Sequence, residues 1–126
     1  MHAVIETPTY LSDAKSAGVT DEERAAIVLA IASDPAAGDV IPGTGGLRKV
    51  RIAGKGRGKS GGYRIISYYA AADVPVFLLA LVSKGQRADI SQAERNVLRA
   101  VVATLAEAYR QGVASRIRAG GSSSRE

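Results

Sequence analysis

The chain has 126 residues, one domain's worth, which suffices to bury roughly two thirds of the surface its unfolded form would expose. It holds no cysteine and a single histidine, His2, which excludes disulfide staples, thiolate zinc and a Cys nucleophile and argues against a His-based metal site or a Ser-His-Asp triad. The formal net charge is +5, but residues 40–72 carry seven bases and no acid, so that segment is +7 and the remainder −2. A concentrated basic patch points to a polyanionic partner: nucleic acid, an acidic protein or, less so, a membrane surface.

In chain order, Ala3–Ile5 reads as a first short strand. Thr7-Pro8 is an N-cap followed by a first helical position that tolerates proline, and this helix runs to about Ala17, with Gly18 as its stop. Thr20-Asp21-Glu22-Glu23 is a capping box opening a second helix from Asp21 to about Ser33. Its interior is apolar nearly all round, and Asp34-Pro35 ends it. Residues 38–46 read as loop. Leu47–Ala53 alternates, with Val50 and Ile52 pointing one way and Lys49 and Arg51 the other, which predicts a half-buried strand with a basic outer face. Residues 54–62 form a glycine-lysine loop, Tyr63–Ala70 a strand, Asp73-Val74-Pro75 a turn and Val76–Ser83 a continuous apolar strand for the middle of a sheet. Ser91-Gln92-Ala93-Glu94 is a second capping box, and the last helix runs from Gln92 to about Gln111, stopped by Gly112. Its stripe is Ala93, Val97, Leu98, Val101, Leu105 and Tyr109, with Arg95 and Arg99 on a solvated face.

The expected domain therefore spans 1–112, with a flexible Gly/Ser-rich tail over 113–126. The order β-α-α-β-β-β-α defines an α+β class. Connections too short for crossovers make the last three strands an antiparallel meander, and the helices are expected to cover one face of the sheet. The apolar runs Ala25–Ala32 and Val76–Val82 fall short of the roughly 18 residues that cross a bilayer, and no basic flank or long apolar stretch opens the chain. A soluble cytoplasmic protein without a membrane partner is expected.

Gly58-Lys59-Ser60 invites a phosphate-loop reading. Such a loop has a glycine five positions before its Gly-Lys, where Ala53 stands here, and needs a helix immediately after it, where a strand follows. An NTPase is therefore set aside. Alone, the loop also fits a solvated hairpin tip. Its bases, however, continue into both flanking strands, and a sheet face offering several cations can hold a phosphate backbone.

The string Gly38-Asp39-Val40-Ile41-Pro42-Gly43-Thr44-Gly45-Gly46-Leu47-Arg48-Lys49-Val50-Arg51, followed by Gly58-Lys59-Ser60-Gly61-Gly62-Tyr63-Arg64, resembles the HigB-type branch of the RelE/ParE toxin superfamily. The resemblance continues through Leu78-Leu79 to Ser83-Lys84 and through Ala88-Asp89-Ile90-Ser91-Gln92-Ala93-Glu94, and spans about Val4 to Glu107. It implies a RelE-like fold and the toxin of a type II toxin–antitoxin module. RelE-like members are ribosome-dependent mRNA endonucleases that use neither metal nor cofactor. The implied partners are the ribosome, mRNA and a cognate antitoxin of HigA-like helix-turn-helix type, with operator DNA reached only through the antitoxin complex.

Cutting RNA this way requires an acceptor for the 2′-OH proton, cations against the developing phosphorane charge and a donor for the leaving 5′ oxygen. Arginine and lysine supply charge directly, and a lysine in a dense cationic cluster gives up its proton more readily. By the resemblance, Lys49 is the candidate general base, Arg51 the phosphate or leaving-group stabiliser and Arg64 the group facing transition-state charge. Lys84 stands near another catalytic base of the family. Lys59 is an RNA contact or a direct participant, and Arg48, Lys55 and Arg57 are expected on RNA backbone. Several RelE-like toxins carry a tyrosine shortly after the last strand. No aromatic lies between Gln86 and Gln92 here, so Lys84 or Arg87 is expected to stand in. Taken singly, Arg64 also fits a strand-end ion pair with Asp39 or Asp73, and Tyr63, Tyr68 and Tyr69 fit sheet packing. Two other functions fit the same fold: a ParE-like inhibitor of DNA gyrase, and an RNA-binding module without catalysis.

Overall fold

The computed structural model describes residues 1–53, 62–83 and 90–123, with side chains to residue 113. The elements are β1 (Val4–Glu6), α1 (Pro8–Ser16), α2 (Asp21–Ser33), β2 (Asp39–Val40), β3 (Leu47–Ile52), β4 (Tyr63–Tyr68), β5 (Val76–Ser83) and α3 (Gln92–Ser123). The strands form one five-stranded sheet in the order β1-β5-β4-β3-β2. The expected α+β class and the antiparallel meander β3-β4-β5 are both present. The sheet as a whole is mixed, because β1 adds parallel to β5, pairing Val4 with Val76 and Glu6 with Leu78.

The helix starts follow from their caps. Thr7 precedes Pro8; its hydroxyl accepts from the Tyr10 amide at 3.3 Å and donates to the Leu78 carbonyl at 2.8 Å, which ties the start of α1 to β5. In α2 the capping box closes both ways, Glu23 N–H to Thr20 Oγ1 and Thr20 N–H to Glu23 Oε1, each at 3.0 Å. Where β1 ends, α1 takes over the edge of β5, and the Leu81 amide donates to Asp13 Oδ2 at 3.0 Å. That contact occupies a donor an open edge would leave unpaired.

The helices do not all lie on one face, which corrects the expected packing. Tyr10 and Ala14 of α1 and Ile27 and Ile31 of α2 pack with Val50, Tyr63, Ile65, Val76 and Leu78. Val102 of α3, joined by Leu98, Leu105 and Tyr109, packs with Leu47, Ile66, Phe77, Leu79 and Val82. The physical reason is β5, which is buried at every position from Val76 to Val82. A strand apolar on both sides requires cover on both.

Two further differences concern ends. Asp39–Val40, expected within a loop, is a two-residue strand against Lys49 and Arg48. The last helix passes through Gly112 and continues to Ser123, so the segment expected as tail from 113 is helical to that point. A side chain at 112 would meet open space, and a glycine inside a helix costs about 1 kcal/mol relative to alanine without having to end it. No helix among the described residues is long and apolar enough to cross a membrane.

Candidate nucleic-acid interface

Strand alternation sorts the bases of β3. Leu47, Lys49 and Arg51 share one face of the sheet, and Arg48, Val50 and Ile52 share the other. The antiparallel register sets Arg51 directly opposite Arg64, and Lys49 opposite Ile66. Lys49, Arg51 and Arg64 therefore gather on one face within two neighbouring strands. Directly opposed side chains have Cβ atoms about 5 Å apart. Arg51 is exposed, and Lys49 and Arg64 are half-buried.

This is the face that α3 packs on. The helix covers its other half, over Leu47, Ile66 and Phe77. A bidentate ion pair fastens it, Arg110 Nε to Asp73 Oδ2 at 2.7 Å and Nη2 to Oδ1 at 2.9 Å. Asp73 is thus committed to Arg110, whose guanidinium holds its carboxyl below the usual carboxylate range. Arg99, expected on a solvated face, is exposed and donates from Nη1 to the Gly43 carbonyl at 3.1 Å. That contact borders the glycine turn leading into β3, where Gly43, Gly45 and Gly46 take φ of 73°, 77° and 111°. Thr44 sits buried in the turn, its hydroxyl donating to the Ile41 carbonyl and accepting from the Leu47 amide.

Arg48 lies apart from the other bases. It projects from the opposite face, and its Nη1 donates to the carbonyls of Ala36 at 3.1 Å and Gly38 at 3.5 Å. In the sequence, its even spacing from Val50 and Ile52 already carries that information. Tyr63 is buried with its hydroxyl donating to Glu23 Oε2 at 3.4 Å, so it packs the sheet. Tyr69 meets the ring of His2 edge-on, and His2 Nε2 lies 2.7 Å from the Val74 carbonyl. Lys55, Arg57, Lys59, Lys84 and Arg87 lie outside the described residues. Among the described residues, no group of three or more His, Asp or Glu gathers to hold a metal ion.

Asp39 enters the sequence analysis only as an ion-pair partner for Arg64, not as a site residue. The acid-free segment begins one residue later, but the hairpin folds Asp39 back opposite Lys49, on the basic face. The signal was in the spacing: a glycine turn between two β-prone stretches pairs residues far apart in the chain.

A small α+β protein with a cationic sheet face offers charge complementary to a polyanion. Residues 3–122 match the family model described as RelE toxin of RelE / RelB toxin-antitoxin system. The chain belongs to that family: it is the toxin of a toxin–antitoxin pair, and an antitoxin is its partner.

Proposed function

We propose that this toxin is a ribosome-dependent mRNA endonuclease, an mRNA interferase that arrests translation in the cytoplasm. The observation that carries the reading is the opposed Arg51–Arg64 pair with Lys49 beside it on one face of the sheet. Three cations clustered there match the double negative charge that develops on a phosphorane when a 2′-oxygen attacks the adjacent phosphorus. In this reading Arg51 and Arg64 hold the phosphate and stabilise that charge, and Lys49 moves a proton. No metal or cofactor is invoked. Lys55, Arg57 and Lys59, between β3 and β4 in the chain, and Lys84 and Arg87, after β5, are assigned to RNA backbone contacts, with Lys84 an added catalytic candidate. The antitoxin is of HigA-like helix-turn-helix type, and operator DNA is contacted through the complex.

The test is a reconstituted translation reaction with purified toxin, read by primer extension on the translated message. Cleavage is expected on ribosome-bound mRNA, falling about 100-fold or more in Lys49→Ala and Arg64→Ala. Both variants are expected to bind antitoxin as the wild type does. Intact message together with trapped gyrase–DNA complexes would instead establish a ParE-like gyrase inhibitor. Salt-sensitive RNA binding without any product would establish a non-catalytic binding module.

A further inference from the structure

We propose that Asp39 is the proton acceptor of the cleavage reaction and that Lys49, directly across from it, is the proton donor. This deepens the endonuclease reading and rests on it. The β2–β3 register pairs Asp39 with Lys49. Directly paired residues share a face, so the Asp39 carboxylate lies on the face of Lys49, Arg51 and Arg64.

A two-residue exposed edge strand has little of its own to hold it in place, yet this one is pinned from three sides. At Gly38, φ is +91°, and a Cβ would fall 2.5 Å from the Lys49 carbonyl oxygen and 2.8 Å from Val50 Cγ2. Only glycine lets the chain close on β3 just before Asp39. On the opposite face, the Arg48 guanidinium clamps the carbonyls of Ala36 and Gly38. After the strand, the Ile41 amide donates to the Leu47 carbonyl at 2.8 Å, and Thr44 locks the turn. These contacts fix the backbone on both sides of one exposed carboxylate. Gly38 and Arg48 thereby act as positioning residues for Asp39.

The chemistry balances with these two groups. The Asp39 carboxylate takes the proton of the 2′-OH as the O2′–P bond forms. The P–O5′ bond breaks, and the leaving O5′ takes a proton from the Lys49 ammonium. The products are a 2′,3′-cyclic phosphate and a 5′-hydroxyl. Transfer of the proton from Asp39 to the adjacent Lys49 restores both groups, so no co-reactant is consumed. Among the described residues, Lys49 and Arg51 of β3 and Arg64 of β4 share this face, and Arg99 of α3 donates to the Gly43 carbonyl.

The test measures single-turnover cleavage of ribosome-bound message by wild type, Asp39→Asn and Asp39→Glu across pH, alongside binding to programmed ribosomes. Asp39→Asn is expected to slow cleavage by about 100-fold or more. It is expected to bind as tightly as the wild type or more tightly, because it removes a negative charge facing phosphate. The acid limb of the wild-type pH–rate profile should vanish in Asp39→Asn and return in Asp39→Glu with part of the rate. Wild-type cleavage rates in Asp39→Asn would overturn the assignment, as would parallel loss of cleavage and ribosome binding, which marks a structural role. If the wild type itself leaves the message uncut, the endonuclease reading falls and the assignment with it.

Discussion

Arg51 and Arg64 face each other across two strands, and like charges directly opposite oppose sheet formation. A protein keeps such a pair where the site needs it. Arg51→Thr, a β-prone neutral replacement, is therefore expected to raise stability by about 0.5 kcal/mol in urea titrations while cutting cleavage at least 10-fold. Arg48 is its counterpart on the opposite face. Arg48→Ala is expected to cost about 1 kcal/mol through the lost carbonyl contacts and to slow cleavage, with ribosome binding unchanged. Tyr10 carries a residue-scale pH effect. Burial first, then the nearby Glu6 carboxylate, pushes its phenol up to about 12. The folded state keeps this proton longer than the unfolded chain, so its contribution is intact below pH 10 and is lost as pH rises toward 12. Tyr10→Phe should flatten the fall in stability across that window. Side-chain faces are legible in the chain only where alternation is applied to every position. It placed Lys49 and Arg51 correctly, and it would have placed Arg48. The pairing of Asp39 with Lys49 is not legible, because a charge window drawn along the chain does not see the partner that a hairpin brings across.

At the scale of elements, the caps were the most legible features. Thr7-Pro8, the Thr20–Glu23 box and the Ser91–Glu94 box all open helices, since each is complete within four residues. Thr20→Ala is expected to cost about 1 kcal/mol, read as a shift in the urea midpoint. Helix ends were less legible, because Gly112 weakens a helix without dictating that it stop. The parallel pairing of β1 was not legible either: its partner β5 lies about seventy positions away, and three residues carry too little pattern to choose a neighbour. The anchor of α3 gives a further pH prediction. The Arg110 contact holds the Asp73 carboxyl below its usual range, so the stabilisation is present above the ordinary carboxylate pKa and is lost as pH falls through the lowered one. Asp73→Asn should remove that part of the acid limb of the stability curve, with the rest of the curve keeping its shape.

On the scale of the molecule, the two faces of the sheet are packed by different helices. The α1–α2 pair packs on one face, while α3 packs on the other over Leu47, Ile66 and Phe77, beside Lys49, Arg51 and Arg64. The run from Val76 to Val82 in β5, buried throughout, makes cover on both faces necessary. Net charge of +5 describes this poorly; the register gathers Lys49, Arg51 and Arg64 on one face of the sheet, with Asp39 opposite Lys49. The central claim is that this face cuts translated messages. Brief induced expression followed by transcriptome-wide mapping of mRNA 5′ ends tests it most directly. New 5′-hydroxyl ends in codon phase within translated regions, absent from cells expressing Arg64→Ala, are predicted. Arrested growth with mRNA ends unchanged from uninduced cells would contradict it.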